Sequence, residues 1–380
     1  METKNITTKK RILVLNYEFP PLGGGAANAT YYLLKEFIKY PDLKIDLVTS
    51  SVNKFKIEKF SDNINIHYLD INKGGNLHYQ SIPDLLKYSF KAYHYSKKLT
   101  KEVKFDLIHA FFGIPCGYIA MKLKLPYIVS LRLADVPFHK KRFYWLDKLI
   151  FKNLSKKIWK NSKSVIANSK GLAEEAKISS PKQEIGVIYN GVDTEQFFPL
   201  PEKKKTGKLI ELISVGRLAH EKGYDYLLKA LVGLGDVKLT LVGSGPDERE
   251  LKELATNLKV SVNFTGRLDK REIINKLQNS DIFILPSLQE GMSNAVLEAM
   301  ACGLPIITTD TGGSEELIRD NGYIVEKKNP SALKEAIEKY LNDNKLIKEH
   351  GENSRKRAQE MSWESVAEEY YRLYDHIISN

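Results

Sequence analysis

Apolar residues in this chain come in short unbroken runs rather than in strict alternation. RILVLNY (11–17), positions 45–49 and 64–69, FDLIHA (105–110), PYIVSL (126–131) and SVIANS (164–169) recur through the first half. LIELISVG (209–216), KLTLVG (238–243), VNFTG (262–266), IFIL (282–285) and PIITTD (305–310) recur through the second. Runs that are apolar on both faces predict strands buried in parallel sheets. Between them lie stretches with apolar residues at helical spacing, among them AANATYYLLKEFIKY after the first run and a long one over 84–101. Each is entered through Gly, Pro, Ser or Asn punctuation. Strand and helix alternate along the whole chain, which predicts an α/β fold. Its parallel sheets are covered by helices, and its ligand sites lie at the C-terminal ends of the strands.

At 380 residues the chain is long enough for two cores. Pro199, Pro201 and Lys203-Lys204-Lys205 read as a hinge. The expected division is a first Rossmann-like domain over 1–198, a second over 207–360, and a terminal amphipathic helix over 361–380 containing Trp363. Charge separates the halves. Residues 1–195 hold 32 Lys/Arg against 18 Asp/Glu, whereas residues 196–380 hold 26 against 29. The net charge of +11 therefore belongs to the first half, which is suited to an anionic partner. Its densest part is 139–163, where Lys140, Lys141, Arg142, Lys148, Lys152, Lys156, Lys157, Lys160 and Lys163 interleave with Trp145, Ile150, Ile158 and Trp159. This segment fits an anionic membrane surface, or a solvated face whose apolar stripe packs on a sheet, or both together. No nucleic-acid motif accompanies it. The two cysteines, Cys116 and Cys302, form neither a disulfide framework nor a metal-binding spacing. No stretch reads as a signal peptide or reaches the ~18 apolar residues of a spanning helix. The expected location is cytoplasmic, with peripheral attachment to the cell membrane.

The candidate chemistry gathers in PSLQEGMSNAVLEAMACGLPIITTDTGG (286–313). The loop after IFIL carries Glu290 and Gly291, and Ser293 or Asn294 caps a helix holding Glu298 among apolar neighbours. A carboxylate there is costly to bury unless something hydrogen-bonds to it. Amides around Gly291, Met292 and Ser293 at a helix start make a seat for phosphate. Carboxylates on either side would take sugar hydroxyls. After LIELISVG, Arg217 and Lys222 place two cations beside a helix start, suited to a diphosphate whose charge grows as it departs. Gly23-Gly24-Gly25 after the first strand is either a flexible turn or a second close approach to phosphate. At strand ends in the first half, His109, Arg132 and Asp135 are polar candidates; Arg132 and Asp135 read equally as a structural ion pair.

EGMSNAVLE (290–298) resembles the E-x7-E element of the retaining glycosyltransferases of family 4, which have the GT-B fold of two Rossmann-like domains. ACGLPIITTDTGGSEEL after it, the Gly216-Arg217…Lys222-Gly223 loop, and NGVD (190–193) before the hinge are similar to further elements of that family. The resemblance covers nearly the whole chain. It implies that a nucleotide-activated sugar binds the second domain and the acceptor binds the first, with the C-terminal helix crossing back to brace the first domain. It implies that Arg217 and Lys222 hold the diphosphate, that Glu290 binds the hexose and Glu298 the ribose, and that Arg267 and Leu268 flank the base. Gly24 and Gly25 would face the diphosphate, and His109, Arg132 and Asp135 would lie on the acceptor side. No metal and no cofactor beyond the donor are expected. The sequence departs from the family where a His-Gly-x-Asp type segment commonly stands, having Arg132 and Leu133 in place of the His and Gly. The expected activity is transfer from a nucleoside diphosphate sugar, UDP-hexose or UDP-N-acetylhexosamine in preference to GDP-mannose, to a lipid-linked saccharide or a cell-surface polysaccharide. The rival readings are another GT-B enzyme, an epimerase or a phosphorylase, and a non-catalytic binder of sugar nucleotides.

Overall fold

A computed structural model describes residues 9–52, 54–74, 77, 80–132, 151–201 and 209–380. The chain divides into two compact units, one of residues 1–189 with 363–380 and one of residues 190–362.

The first unit is built on an eight-stranded sheet in the order β3-β4-β2-β1-β5-β6-β7-β8. Its strands are β1 (Lys10–Leu15), β2 (Leu43–Ser51), β3 (Lys56–Ser61), β4 (Ile64–Asp70), β5 (Leu107–Phe111), β6 (Tyr127–Ser130), β7 (Ser164–Ala167) and β8 (Gly186–Val187). All pairings are parallel except that of the edge strand β3 with β4. Chain direction across the sheet reverses between β1 and β5, so the loops that follow these two strands diverge and open a crevice at their C-terminal ends. The unbroken apolar runs are explained by position: β5 and β6 are buried at every residue because helices cover both faces.

Helix Trp363–Ser379 is an integral part of this unit. Trp363 stacks on Tyr32, with ring centroids 5.8 Å apart and an interplanar angle of 8°. Tyr370 and Tyr374 are buried, and their hydroxyls meet Ser130 and His109 at 2.9 and 2.6 Å. Lys10 pairs with Asp375 at 2.8 Å at the far end. An aromatic stripe at helical spacing thus joins the terminal helix to the centre of the first sheet.

The second unit carries six parallel strands in the order β11-β10-β9-β12-β13-β14. They are β9 (Ile210–Val215), β10 (Val237–Val242), β11 (Val262–Gly266), β12 (Ile282–Leu285), β13 (Ile306–Thr309) and β14 (Gly322–Val325). This is the doubly wound 3-2-1-4-5-6 arrangement, and its switch point lies between β9 and β12.

The first unit ends at Tyr189, before the boundary at 198 expected from the prolines. Side chains of the second unit hold the intervening residues. Arg355 donates to the carbonyls of Thr194, Phe197 and Ala301 at 3.1, 2.8 and 2.8 Å, and Gln278 donates to that of Phe198 at 2.8 Å. Asn190 Nδ2 donates to Asn294 Oδ1 at 3.0 Å, and the Val192 amide to the Met361 carbonyl at 2.9 Å. The run Lys203-Lys204-Lys205 lies outside the described residues. Among the described residues no helix is long and apolar enough to cross a membrane.

Candidate functional site

In the second unit the site is assembled from loops at the C-terminal ends of the strands. Close backbone packing sets their positions. Gly243 faces the Gly216 carbonyl so closely that a Cβ would lie 1.9 Å from it. Gly223, at φ +63°, faces the Pro286 carbonyl, which a Cβ would approach to 2.3 Å. Gly313 faces the Gly291 carbonyl at 2.5 Å in the same sense. Only glycine permits these contacts, so the loops after β9, β10, β12 and β13 sit backbone to backbone. The Leu288 amide donates to the Glu221 carbonyl at 2.8 Å, tying the Lys222 loop to the Glu290 loop across the switch point.

That packing brings Lys222 and Glu290 into contact across 68 positions of sequence. Their side chains form an ion pair, both mostly buried, and Ser287 Oγ donates to the same Glu290 oxygen at 3.0 Å. Arg217 is more exposed and pairs with Glu221. Two cations and a carboxylate therefore stand together, each balanced by a neighbour that a more strongly charged ligand can displace. Ser293 caps helix Asn294–Ala301, accepting from the Val296 amide at 3.5 Å, so Gly291, Met292 and Ser293 occupy the positive end of its dipole. Met292 Sδ accepts from the Asn190 amide at 3.2 Å, which fixes the helix entry against the NGVD segment.

Glu298 lies one turn into that helix, flanked by buried Leu297 and Ala299. Burial pushes its carboxyl up to about 7, with the Lys270 charge opposing. Its carboxylate makes no hydrogen bond among the described residues. Lys270 opens helix Lys270–Gln278, just after Arg267 and Leu268. The residues expected to flank the base thus lie just before the lysine whose charge acts on Glu298. Arg267 is exposed and Leu268 half-buried.

In the first unit the glycine loop follows β1 into helix Gly25–Phe37, with Gly24 at the N-cap. Here the structure adds a residue that the sequence reading did not single out. Glu18 folds beneath the loop, its Oε2 accepting from the Gly24 amide at 3.3 Å, and Gly23, at φ +92°, lies so close that a Cβ would touch the Glu18 side chain at 2.6 Å. Burial pushes the Glu18 carboxyl above its usual value, with the Gly24 hydrogen bond opposing. A carboxylate therefore already occupies the amide expected to meet a diphosphate. The signal available in the sequence was an acid placed between a strand and a glycine run.

The acceptor-side candidates fare differently. His109 is fully buried, its two ring nitrogens within 2.6 Å of Tyr374 Oη and 2.7 Å of Ser130 Oγ, and burial, with the Arg132 charge, holds it well below the ordinary histidine range. It is a neutral fastening for the terminal helix, and no face of it meets solvent. Arg132 lies partly buried over the Phe111 ring at 4.7 Å, at the end of β6. Asp135 lies outside the described residues, as does 139–150 of the basic segment. The described part of that segment forms helix Lys152–Lys160. Trp159 and Ile158, two of the apolar residues that could have faced lipid, are fully buried in the core, while Lys157, Lys160 and Lys163 are exposed. The stripe packs on the sheet and leaves the helix to offer charge.

Comparison with known proteins bears on the family and the fold. The profile described as Glycosyl transferases group 1 matches residues 195–357, and that described as Glycosyltransferase Family 4 matches residues 23–196. A putative teichuronic acid biosynthesis glycosyltransferase of Bacillus subtilis is 30% identical over 281 residues, 69% of this chain and 69% of that one. N-acetyl-alpha-D-glucosaminyl L-malate synthase of Bacillus anthracis is 26% identical over 381 residues, 95% of this chain and 96% of that one. Among solved structures, sucrose-phosphate synthase from Thermosynechococcus elongatus superposes with a TM-score of 0.84 at 22% identity, covering 97% of this chain and 99% of that one. The Anabaena protein HepE, in complex with UDP and glucose, does so with 0.73 at 19% identity, covering 97% and 100%.

Proposed function

The chain belongs to the glycosyl transferases of group 1 and family 4, with the GT-B fold, and on that premise we propose that it is a retaining, metal-independent enzyme using a nucleoside diphosphate sugar. The observation that carries this reading is the meeting of Lys222 and Glu290 at the switch point, with Glu298 beyond them on the helix whose N-terminus would seat phosphate. Lys222 and Arg217 compensate the charge that builds on the diphosphate as the bond from anomeric carbon to phosphate oxygen breaks. Two fixed cations and a helix dipole supply what a divalent metal supplies in other transferases. Glu290, released from Lys222, binds hexose hydroxyls, and Glu298 accepts from the ribose hydroxyls. Arg267 and Leu268 flank the base. Gly24 and Gly25 reach the diphosphate only if the Glu18 carboxylate gives way.

UDP is the favoured nucleotide, a choice supported by the UDP bound to the structural relative HepE. The acceptor class, a lipid-linked saccharide or a cell-surface polysaccharide, is supported by the positive first half and by the relative named for teichuronic acid biosynthesis. The lysines of Lys152–Lys160 would attract an anionic membrane, and Arg132 would meet an acceptor phosphate. The relatives' names favour transfer over isomerisation or phosphorolysis.

A thermal-shift screen against UDP-, GDP-, ADP- and dTDP-sugars, with and without EDTA, tests the reading. One nucleotide should raise the melting temperature regardless of chelation, and Lys222→Ala should lose that rise. No response to any of the four at millimolar concentration would overturn it.

A further inference from the structure

Helix Ile82–Glu102 of the first unit buries one side and presents another that is both apolar and basic. Ile82, Leu86 and Phe90 are exposed to 57%, 65% and 67%, unusually high for large apolar side chains. Four-residue spacing puts them in one stripe along the helix. The other exposed positions include Lys87, Lys91, Lys97, Lys98 and Lys101, whereas the acids are accounted for. Asp84 is buried against Lys73 at 2.7 Å, and Glu102 pairs with Lys98 at 3.7 Å. Apolar anchors at one end of a helix and an excess of exposed lysines over acids along it are the chemistry of a surface that enters the headgroup layer of a bilayer.

The neighbouring elements extend the same surface. Connections β4 to β5, β5 to β6 and β6 to β7 all step the same way across the sheet, so right-handed crossovers put their helices on one face. Helix Ile82–Glu102 packs beside helix Tyr118–Leu123 and the turn Gly113–Gly117, and that turn packs against helix Lys152–Lys160, with Gly117 against Ile158. The lysines of Lys152–Lys160, whose own apolar stripe is buried, therefore share a face with the exposed stripe.

We propose that Ile82, Leu86 and Phe90 insert into an anionic phospholipid bilayer while the lysines of helices Ile82–Glu102 and Lys152–Lys160 contact its headgroups. This extends the membrane association proposed above to a separate apolar surface. Its test reads lipid binding rather than transfer, so it can fail while the transferase assignment stands.

The test is flotation of the full chain with vesicles of phosphatidylglycerol and phosphatidylcholine, compared with phosphatidylcholine alone. The wild type should float with the anionic vesicles. The Leu86→Ser, Phe90→Ser double variant should bind at least about tenfold more weakly, because two anchors are lost. Its circular dichroism and its donor-induced thermal shift should stay unchanged, because both positions face solvent. Ile178→Ser, at an equally exposed apolar residue on helix Lys170–Ser179, should bind as the wild type does. Equal flotation of wild type and double variant would overturn the proposal. So would a concentration-dependent dimer in light scattering that the double variant abolishes, since a second copy would then be the occupant.

Discussion

Replacing Glu298 by Gln should stabilise the ligand-free protein while weakening its hold on nucleotide, and the two effects separate with pH. The carboxyl titrates near 4.5 in an unfolded chain and is pushed up to about 7 in the folded one by burial, with only the Lys270 charge in opposition. Below pH 4.5 both states carry the proton and the residue costs nothing. Between 4.5 and 7 the unfolded chain ionises first, so folding loses stability as pH rises. Above 7 the loss is complete. At ~1.4 kcal/mol for each tenfold change in proton affinity, the full cost is about 3 kcal/mol. Glu298 keeps partial contact with solvent, which reduces this to about 1–3 kcal/mol. Gln keeps the shape and removes the charge, so Glu298→Gln should melt above the wild type by roughly 2–12 °C at pH 8 and together with it near pH 4.5, given ~2–4 °C per kcal/mol for a unit of this size. Calorimetry across pH 5 to 8 reads this directly. In isothermal titration with the nucleotide found by the screen, the variant should bind about tenfold to a hundredfold more weakly, having lost a charge-assisted hydrogen bond to ribose. Equal melting at pH 8 would show that the carboxylate is not desolvated. Undiminished binding would show that it is not a ligand, and either result refutes the reasoning.

Lys222→Ala and Glu290→Ala should each lower transfer by at least about a hundredfold with the circular dichroism unchanged; wild-type turnover in either removes that residue from the mechanism. Gly223→Ala should cost about 1–3 kcal/mol, since its φ of +63° disfavours a side chain and the Pro286 carbonyl blocks a Cβ, and denaturant melts measure this. Arg355→Met leaves three backbone carbonyls without their donor, so limited proteolysis should cut within 194–201 several times faster than in the wild type. Transfer assayed with EDTA present should proceed at the same rate as without it, and loss of activity restored by a divalent ion would refute metal independence.

The sequence by itself determined the fold class and named most of the residues that meet at the candidate site of the second unit. Unbroken apolar runs of strand length, alternating with stretches of helical spacing, pointed to buried parallel strands, and the residues at their ends named the loops at a switch point. Arg217, Lys222, Glu290, Glu298 and the helix cap at Ser293 were legible because each lies within a short local pattern. Tertiary structure decided what depends on distant partners. Nothing local in His109 distinguishes a reactive imidazole from a core one; Tyr374, far away on the returning helix, settles it. The boundary at 189 was hidden because prolines mark where a chain turns, whereas Arg355 decides which unit holds it. Trp159 and Phe90 look alike in sequence, an aromatic among lysines. One is buried and the other exposed because the angular position of each on its helix is measured against a sheet that exists only once the chain has folded.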